Sequence, residues 1–147
     1  IDKSGNIITI PSKEIKFYYR GSDLPEDLIF LSASFKGYKS DMSLIKNEIE
    51  RLKIKKDKSQ PSKIKTSGST FKNPIKQTDK KVWELIRLSI PSKTGYGDAV
   101  ISEKHANFFV NKGNAKSADM KLLIKFVREQ VMKKTGVKLE TEIVIVE

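Results

Sequence analysis

The chain has 147 residues, with 29 lysines and arginines against 18 aspartates and glutamates, a formal charge of +11, and 37% hydrophobic residues. That length supports one buried core, or one domain with a piece of another. The absence of cysteine excludes a disulfide scaffold, a thiolate zinc site and a cysteine nucleophile, and it suits a reducing, cytoplasmic compartment. A single histidine and scattered carboxylates support no metal site. No apolar run approaches the roughly 20 residues of a membrane span. The polar opening, Ile1-Asp2-Lys3-Ser4-Gly5-Asn6, is not a secretory leader.

In chain order, Asn6–Ile10 reads as a short strand and Pro11–Glu14 as a turn or one helical turn. Leu28–Phe35 alternates as a half-buried strand, with Ile29, Leu31, Ala33 and Phe35 on one side. Ser40 is placed to cap a helix from about Asp41 to Lys55, with Ile45, Ile49 and Leu52 on its inner face. Lys56–Ser69 is polar, contains Pro61 and Gly68, and is expected to be loop. Lys80–Ser89 predicts a short helix with Val82, Leu85 and Ile86 facing inward. A second loop over Pro91–Gly97 precedes strands at Ala99–Ser102 and Asn107–Asn111. Ser117 opens a long helix to about Lys134, striped by Leu122, Leu123, Phe126, Val127, Val131 and Met132, and Gly136 is suited to its C-terminal turn. Glu140–Val146 reads as a last strand. From residue 39 onward the order α-α-β-β-α-β predicts an α+β fold, a small mixed sheet packed with helices.

The charge is concentrated. Ten lysines between Lys53 and Lys81 face only Asp57 and Asp79. Such a run is either a solvated face or an attractor of anions, whether nucleic acid or a phosphorylated small molecule. Arginine occurs only at positions 20, 51, 87 and 128, and Phe71 is the lone aromatic inside the run. Reading base edges favours the arginine fork, and single-strand binding favours interleaved aromatics, so a diphosphate ligand competes well with nucleic acid. No glycine-rich phosphate loop is present: Arg87 and Ser92 stand where the P-loop pattern ending at Lys93-Thr94 needs glycines, and Val100 stands where a dinucleotide fingerprint from Gly95 needs its third.

Four segments together resemble one family. They are Phe17-Tyr18-Tyr19-Arg20-Gly21-Ser22; Gly68-Ser69-Thr70-Phe71-Lys72-Asn73-Pro74; Ser102-Glu103-Lys104-His105-Ala106-Asn107-Phe108-Phe109-Val110-Asn111 with Gly113-Asn114-Ala115; and Gly136-Val137-Lys138-Leu139-Glu140-Thr141-Glu142. Their order resembles the second half of UDP-N-acetylenolpyruvoylglucosamine reductase, an enzyme of peptidoglycan synthesis. The resemblance implies FAD, with NADPH as hydride donor, and a UDP-sugar substrate bearing an enolpyruvyl double bond. It implies that residues 1–38 are the closing strands of an FAD-binding domain and residues 39–147 the substrate-binding domain. The rest of the FAD site then lies in a missing half, fused or separate, and the chain alone turns nothing over. No nucleic acid and no membrane is implied as partner.

Arg20 and Glu142 correspond to groups that polarise the substrate carboxylate, and Ser69 to the proton donor. Asn73, Lys58 and His105 correspond to substrate-binding positions, Lys58 through the lysine-rich loop. The match is not complete. Thr141 replaces a family proline, and Val144 replaces an arginine expected near flavin or substrate. Two other readings stand beside this one: a small basic nucleic-acid-binding protein, and an inactive remnant of the reductase.

Overall fold

The computed structural model describes residues 1–146, and the chain divides into two compact units, Ile1–Asp41 and Met42–Glu147. The first unit contains no buried residue. It holds a 3-10 turn at Ser12–Glu14, the turn expected there, and a hairpin of β1 (Phe17–Tyr18) and β2 (Gly21–Ser22). Neither Asn6–Ile10 nor Leu28–Phe35 is a strand. Their alternation describes a surface to be buried, and within this unit nothing buries it: Ile29, Leu31 and Phe35 are exposed, Phe35 at 93%. Only Ile29 makes ladder-like contacts, exchanging bonds of 2.8 and 2.9 Å with the main chain of Ile1.

The second unit is α+β, as the sequence predicts, with a different element order. It runs α1 (Met42–Ser59), β3 (Lys65–Ser69), α2 (Val82–Ser89), β4 (Gly95–Tyr96), β5 (Ala99–Ile101), β6 (Phe108–Asn111) and α3 (Ser117–Thr135). The four strands form one sheet in the order β3-β6-β5-β4, and the sheet expected to be mixed is antiparallel throughout. The segment expected to be all loop contributes the end of α1 and the whole of β3. β3 escapes hydrophobic periodicity because Lys65-Thr66-Ser67-Gly68-Ser69 has no large apolar residue. It is an edge of this sheet, where polar side chains and lysine are tolerated and deter pairing with other chains.

α2 and α3 pack on each other, and α3 covers β4 and β5. Val82, Leu85 and Ile86 of α2 are buried as predicted. On α3 the inward stripe is Leu123, Ile124, Val127 and Val131, while Leu122 and Met132, expected inside, are exposed. The stripe is rotated so that Ile124 replaces Leu122. Phe71 and Phe109 meet edge-to-face at the core, their centroids 5.9 Å apart.

The helix ends are built by side chains. The residue flanking α3 is Lys116 rather than Ser117, and its amide donates to Asp119 at 2.8 Å. Gly136 closes α3 at φ +71°, its amide donating to Met132 at 2.9 Å, a left-handed position that suits glycine. α1 buries none of its residues, so Ile45, Ile49 and Leu52, expected to face inward, are all exposed.

Candidate functional site

The strand carrying Ser69 is built around a bulge. Thr66 pairs with Val110 and Ser69 with Phe108, so β3 spends one residue more than β6 over that interval. Gly68 absorbs the irregularity at φ +86°, where a side chain would be strained. Thr66 holds the kink, its hydroxyl donating to the Phe109 carbonyl at 2.7 Å and accepting the Gly68 amide at 3.2 Å. A bulge shifts the side-chain alternation by one position, a common device beside functional residues.

Beyond Ser69 the chain continues extended and is gripped on two sides. On one side the Thr70 amide donates to the Asn107 carbonyl at 2.8 Å. The Asn107 side chain then pairs with the Phe71 peptide: Oδ1 accepts its amide at 3.0 Å and Nδ2 donates to its carbonyl at 2.9 Å. On the other side the Lys72 amide donates to the Glu140 carbonyl and the Glu142 amide to the Thr70 carbonyl, both at 2.9 Å, around a Phe71–Thr141 bridge. The strand predicted at Glu140–Val146 shrinks to this one bridge. The same pairing sets Glu142 opposite Thr70, the residue that follows Ser69. Gln77 steadies the approach from the far end, its side-chain amide exchanging two bonds of 2.9 Å with the Lys138 main chain.

Arg20 belongs to the first unit. It occupies the tip of the β1–β2 hairpin at φ +63°, with its guanidinium 5.0 Å from the Tyr19 ring centroid. A non-glycine residue there costs about 1–2 kcal/mol, strain that proteins concentrate at working positions. The Tyr18 ring lies over Gly21, 2.2 Å from where a Cβ would stand, so a side chain there would displace that exposed ring.

Asn73 is half-buried, and its Oδ1 accepts the Val82 amide at 3.1 Å, capping α2. Its side chain therefore ties the Ser69 segment to a helix of the core. Lys58 lies in the last turn of α1 with Lys56, fully on the surface, rather than in a loop. Lysines there complement the negative end of the helix dipole. Lys104 donates to the Asp57 carbonyl and so fastens that helix end to the loop before β6.

His105 sits in that loop, half-buried, its ring 4.9 Å from Phe108. Its Nδ1 accepts the Asn107 amide at 3.3 Å, which assigns the neutral tautomer protonated at Nε2. Burial holds its pKa below the ordinary histidine value, and the nearby Arg87 charge pushes it the same way. Such a histidine is neutral in the fold and protonates more readily when unfolded. The stability it contributes is therefore complete above about pH 6.5 and is lost as pH falls below that value. Thermal unfolding of the chain at pH 7.5 and 5.5 is expected to show a smaller acid-induced drop in Tm for His105→Gln than for the parent. Equal drops would remove this role.

Sequence reasoning missed Asn107, Thr70 and Gly68. All three lie inside the resembling segments, and periodicity does not single them out, since β3 has no large apolar residue. Among the described residues no group of His, Asp and Glu is arranged to hold a metal ion. Among the described residues no helix is long and apolar enough to cross a membrane.

Comparison with known proteins adds names to this geometry. A family model described as UDP-N-acetylenolpyruvoylglucosamine reductase, C-terminal domain, matches residues 60–146. The UDP-N-acetylenolpyruvoylglucosamine reductase of Pelagibacter ubique is 62% identical over 145 residues, covering 99% of this chain and 48% of that protein. The enzyme of the same name from Rickettsia typhi is 43% identical over 143 residues, again covering 48% of its length. A crystal structure of the reductase from Thermus caldophilus superposes with a TM-score of 0.67 at 30% identity, covering 88% of this chain and 46% of that one. The chain thus spans about half the length of the relatives it matches. With a family model matched from residue 60 to 146 and a fold shared with a solved reductase, the chain belongs to the UDP-N-acetylenolpyruvoylglucosamine reductase family, of which it carries the C-terminal portion.

Proposed function

We propose that this chain is the substrate-binding and proton-donating portion of a reductase that converts the enolpyruvyl ether of UDP-N-acetylglucosamine to UDP-N-acetylmuramate with NADPH, in peptidoglycan synthesis. In this reading residues 1–38 complete an FAD-binding domain and residues 39–147 form the substrate domain. The observation that supports it is the main-chain pairing of Glu142 with Thr70, the residue after Ser69, which brings two of the resembling segments together from distant parts of the second unit. The exposed apolar side chains of the first unit, Ile7, Phe17 and Phe30 among them, agree with a domain whose other half lies elsewhere. With no buried residue in that unit, these residues do not form a flavin cradle by themselves. The relatives' remaining length is the place for it, in the same polypeptide or a separate one.

Flavin, when bound, would supply the hydride that one alkene carbon of the substrate receives. Negative charge then develops on the neighbouring carbon and spreads into the carboxylate. A fixed cation lowers that enolate-like state, and preorganised charge of this kind is often the largest catalytic contribution. Arg20 fits the task because a guanidinium grips a carboxylate with two parallel bonds. Glu142 either hydrogen-bonds the developing enol, if protonated, or orients Arg20, if ionised. The Ser69 hydroxyl delivers a proton to the carbanion-like carbon. A serine is a weak acid, but the carbon is a strong base, and fixed proximity makes the transfer feasible. Asn73, Lys58 and His105 remain the proposed substrate contacts, with Lys58 and its neighbours facing the diphosphate.

A nucleic-acid-binding role has no observation in its favour. The lysines at 53, 55, 56 and 58 lie on the exposed helix α1, which carries no aromatic residue to stack on bases. The test of the reductase reading is a chimera joining this chain to the remaining portion of the Pelagibacter relative. Oxidation of NADPH that depends on the UDP-sugar enolpyruvate is the expected result. A chimera that folds and binds FAD but oxidises no NADPH with that substrate would overturn the reading.

A further inference from the structure

We infer that Asn107 is a positioning residue for Ser69, its side-chain amide serving as a substitute strand that fixes the backbone N–H and C=O of Phe71, two residues downstream. The β3–β6 ladder ends where Ser69 pairs with Phe108, and one further main-chain bond follows, from the Thr70 amide to the Asn107 carbonyl at 2.8 Å. At Phe71 the neighbouring backbone no longer runs alongside. The Asn107 side chain takes over, accepting from the Phe71 amide at 3.0 Å and donating to its carbonyl at 2.9 Å.

A primary amide presents a donor and an acceptor in one plane, matching the N–H and C=O that a single extended residue turns to the same side. Asn107 is only 5% exposed, so both bonds form away from water. Removing the side chain leaves a buried peptide amide and carbonyl without partners. The opposite edge of the segment, at Thr70 and Lys72, is already committed to Glu142 and Glu140 and cannot compensate. Upstream of the serine, the Gly68 kink at φ +86° is fastened by Thr66. Downstream, the fastening is the Asn107 side chain at Phe71, so the orientation of the Ser69 hydroxyl depends on both sides and Asn107 supplies the second. Misplacement of a reacting group by about 1 Å can cost on the order of 100-fold in rate.

This inference rests on the reading of Ser69 as proton donor, and its test separates the two. In the chimera, Asn107→Ala is expected to lower kcat by about 10- to 100-fold with KM for the UDP-sugar changed less than about threefold. In a Ser69→Ala background the same substitution is expected to change kcat less than about twofold, since there is no hydroxyl left to misplace. Asn107→Asp keeps the acceptor and the shape, and it loses the donor only while ionised. Its kcat relative to the parent is expected to recover as pH is lowered and the acid proton replaces the amide donor, which a merely structural defect does not do. That variant also carries the test if Asn107→Ala fails to fold. An equal loss in both backgrounds, a change confined to KM, or an Asn107→Asp profile parallel to the parent's would overturn the inference while leaving the Ser69 assignment standing. Full turnover by Ser69→Ala alone would overturn both.

Discussion

Ser69→Ala is expected to lower kcat of the assembled reductase by about 10²- to 10⁴-fold, the range typical of losing a positioned general acid. Affinity for the UDP-sugar should stay within about threefold, because a hydroxyl that acts on a developing carbanion contributes to the transition state and little to the ground state. The fold should survive as well. Ser69 is only partly buried, it follows a glycine bulge, and the ladder bonds on either side come from the main chain. Steady-state kinetics of the chimera and a binding titration of the variant check the two halves of this expectation. Turnover like the parent's would end the proton-donor assignment. Weakened binding with unchanged turnover would recast Ser69 as a substrate contact.

Phe71→Ala should produce the largest loss of stability. The ring is 1% exposed and meets Phe109 edge-to-face at a centroid distance of 5.9 Å. Truncating a buried phenylalanine costs about 3–5 kcal/mol through lost burial and the cavity left behind. Part of that, about 0.5–1.5 kcal/mol, reflects the ring pair itself. The position adds a functional consequence. Phe71 carries the peptide held by Asn107 and faces Thr141 across the bridge, so the cavity opens directly beneath the segment that joins Ser69 to Asn73. Chemical denaturation of the chain, with the midpoint and slope compared to the parent, measures the effect. A loss below about 1 kcal/mol would show that the core closes around the gap, contrary to the usual response of a well-packed interior.

The helices were legible in the sequence where local periodicity and burial coincide. Val82, Leu85 and Ile86 follow helical spacing and are buried, because α2 packs against α3. The spacing of Ile45, Ile49 and Leu52 is equally helical and the helix exists, but their burial is a property of what covers them, which spacing does not report. The same separation explains Leu28–Phe35, whose alternation is clear and whose pairing partner is absent from its unit. β3 was unreadable for the opposite reason: its polar residues are held by ladder bonds to β6, which demand nothing of side-chain hydrophobicity. As for the candidate site, motif resemblance marks Ser69 and Glu142, and the pairing of Glu142 with Thr70 depends on one isolated bridge that no periodicity announces. The polar run from Lys56 reads as loop, yet Lys58 stands in a helix, because lysine and serine are acceptable at a helix C-terminus.

The pairing of Thr70 with Glu142 also sets an order of events during synthesis. The sheet, α2 and α3 are all encoded before Glu140 leaves the ribosome, and contacts distant in sequence form late because the intervening chain must first be closed into a loop. A nascent chain halted before that point would already possess its hydrophobic interior, yet it would lack the carboxylate expected to act beside the serine. The carboxylate expected to act beside the serine is thus encoded after every strand and helix of this unit.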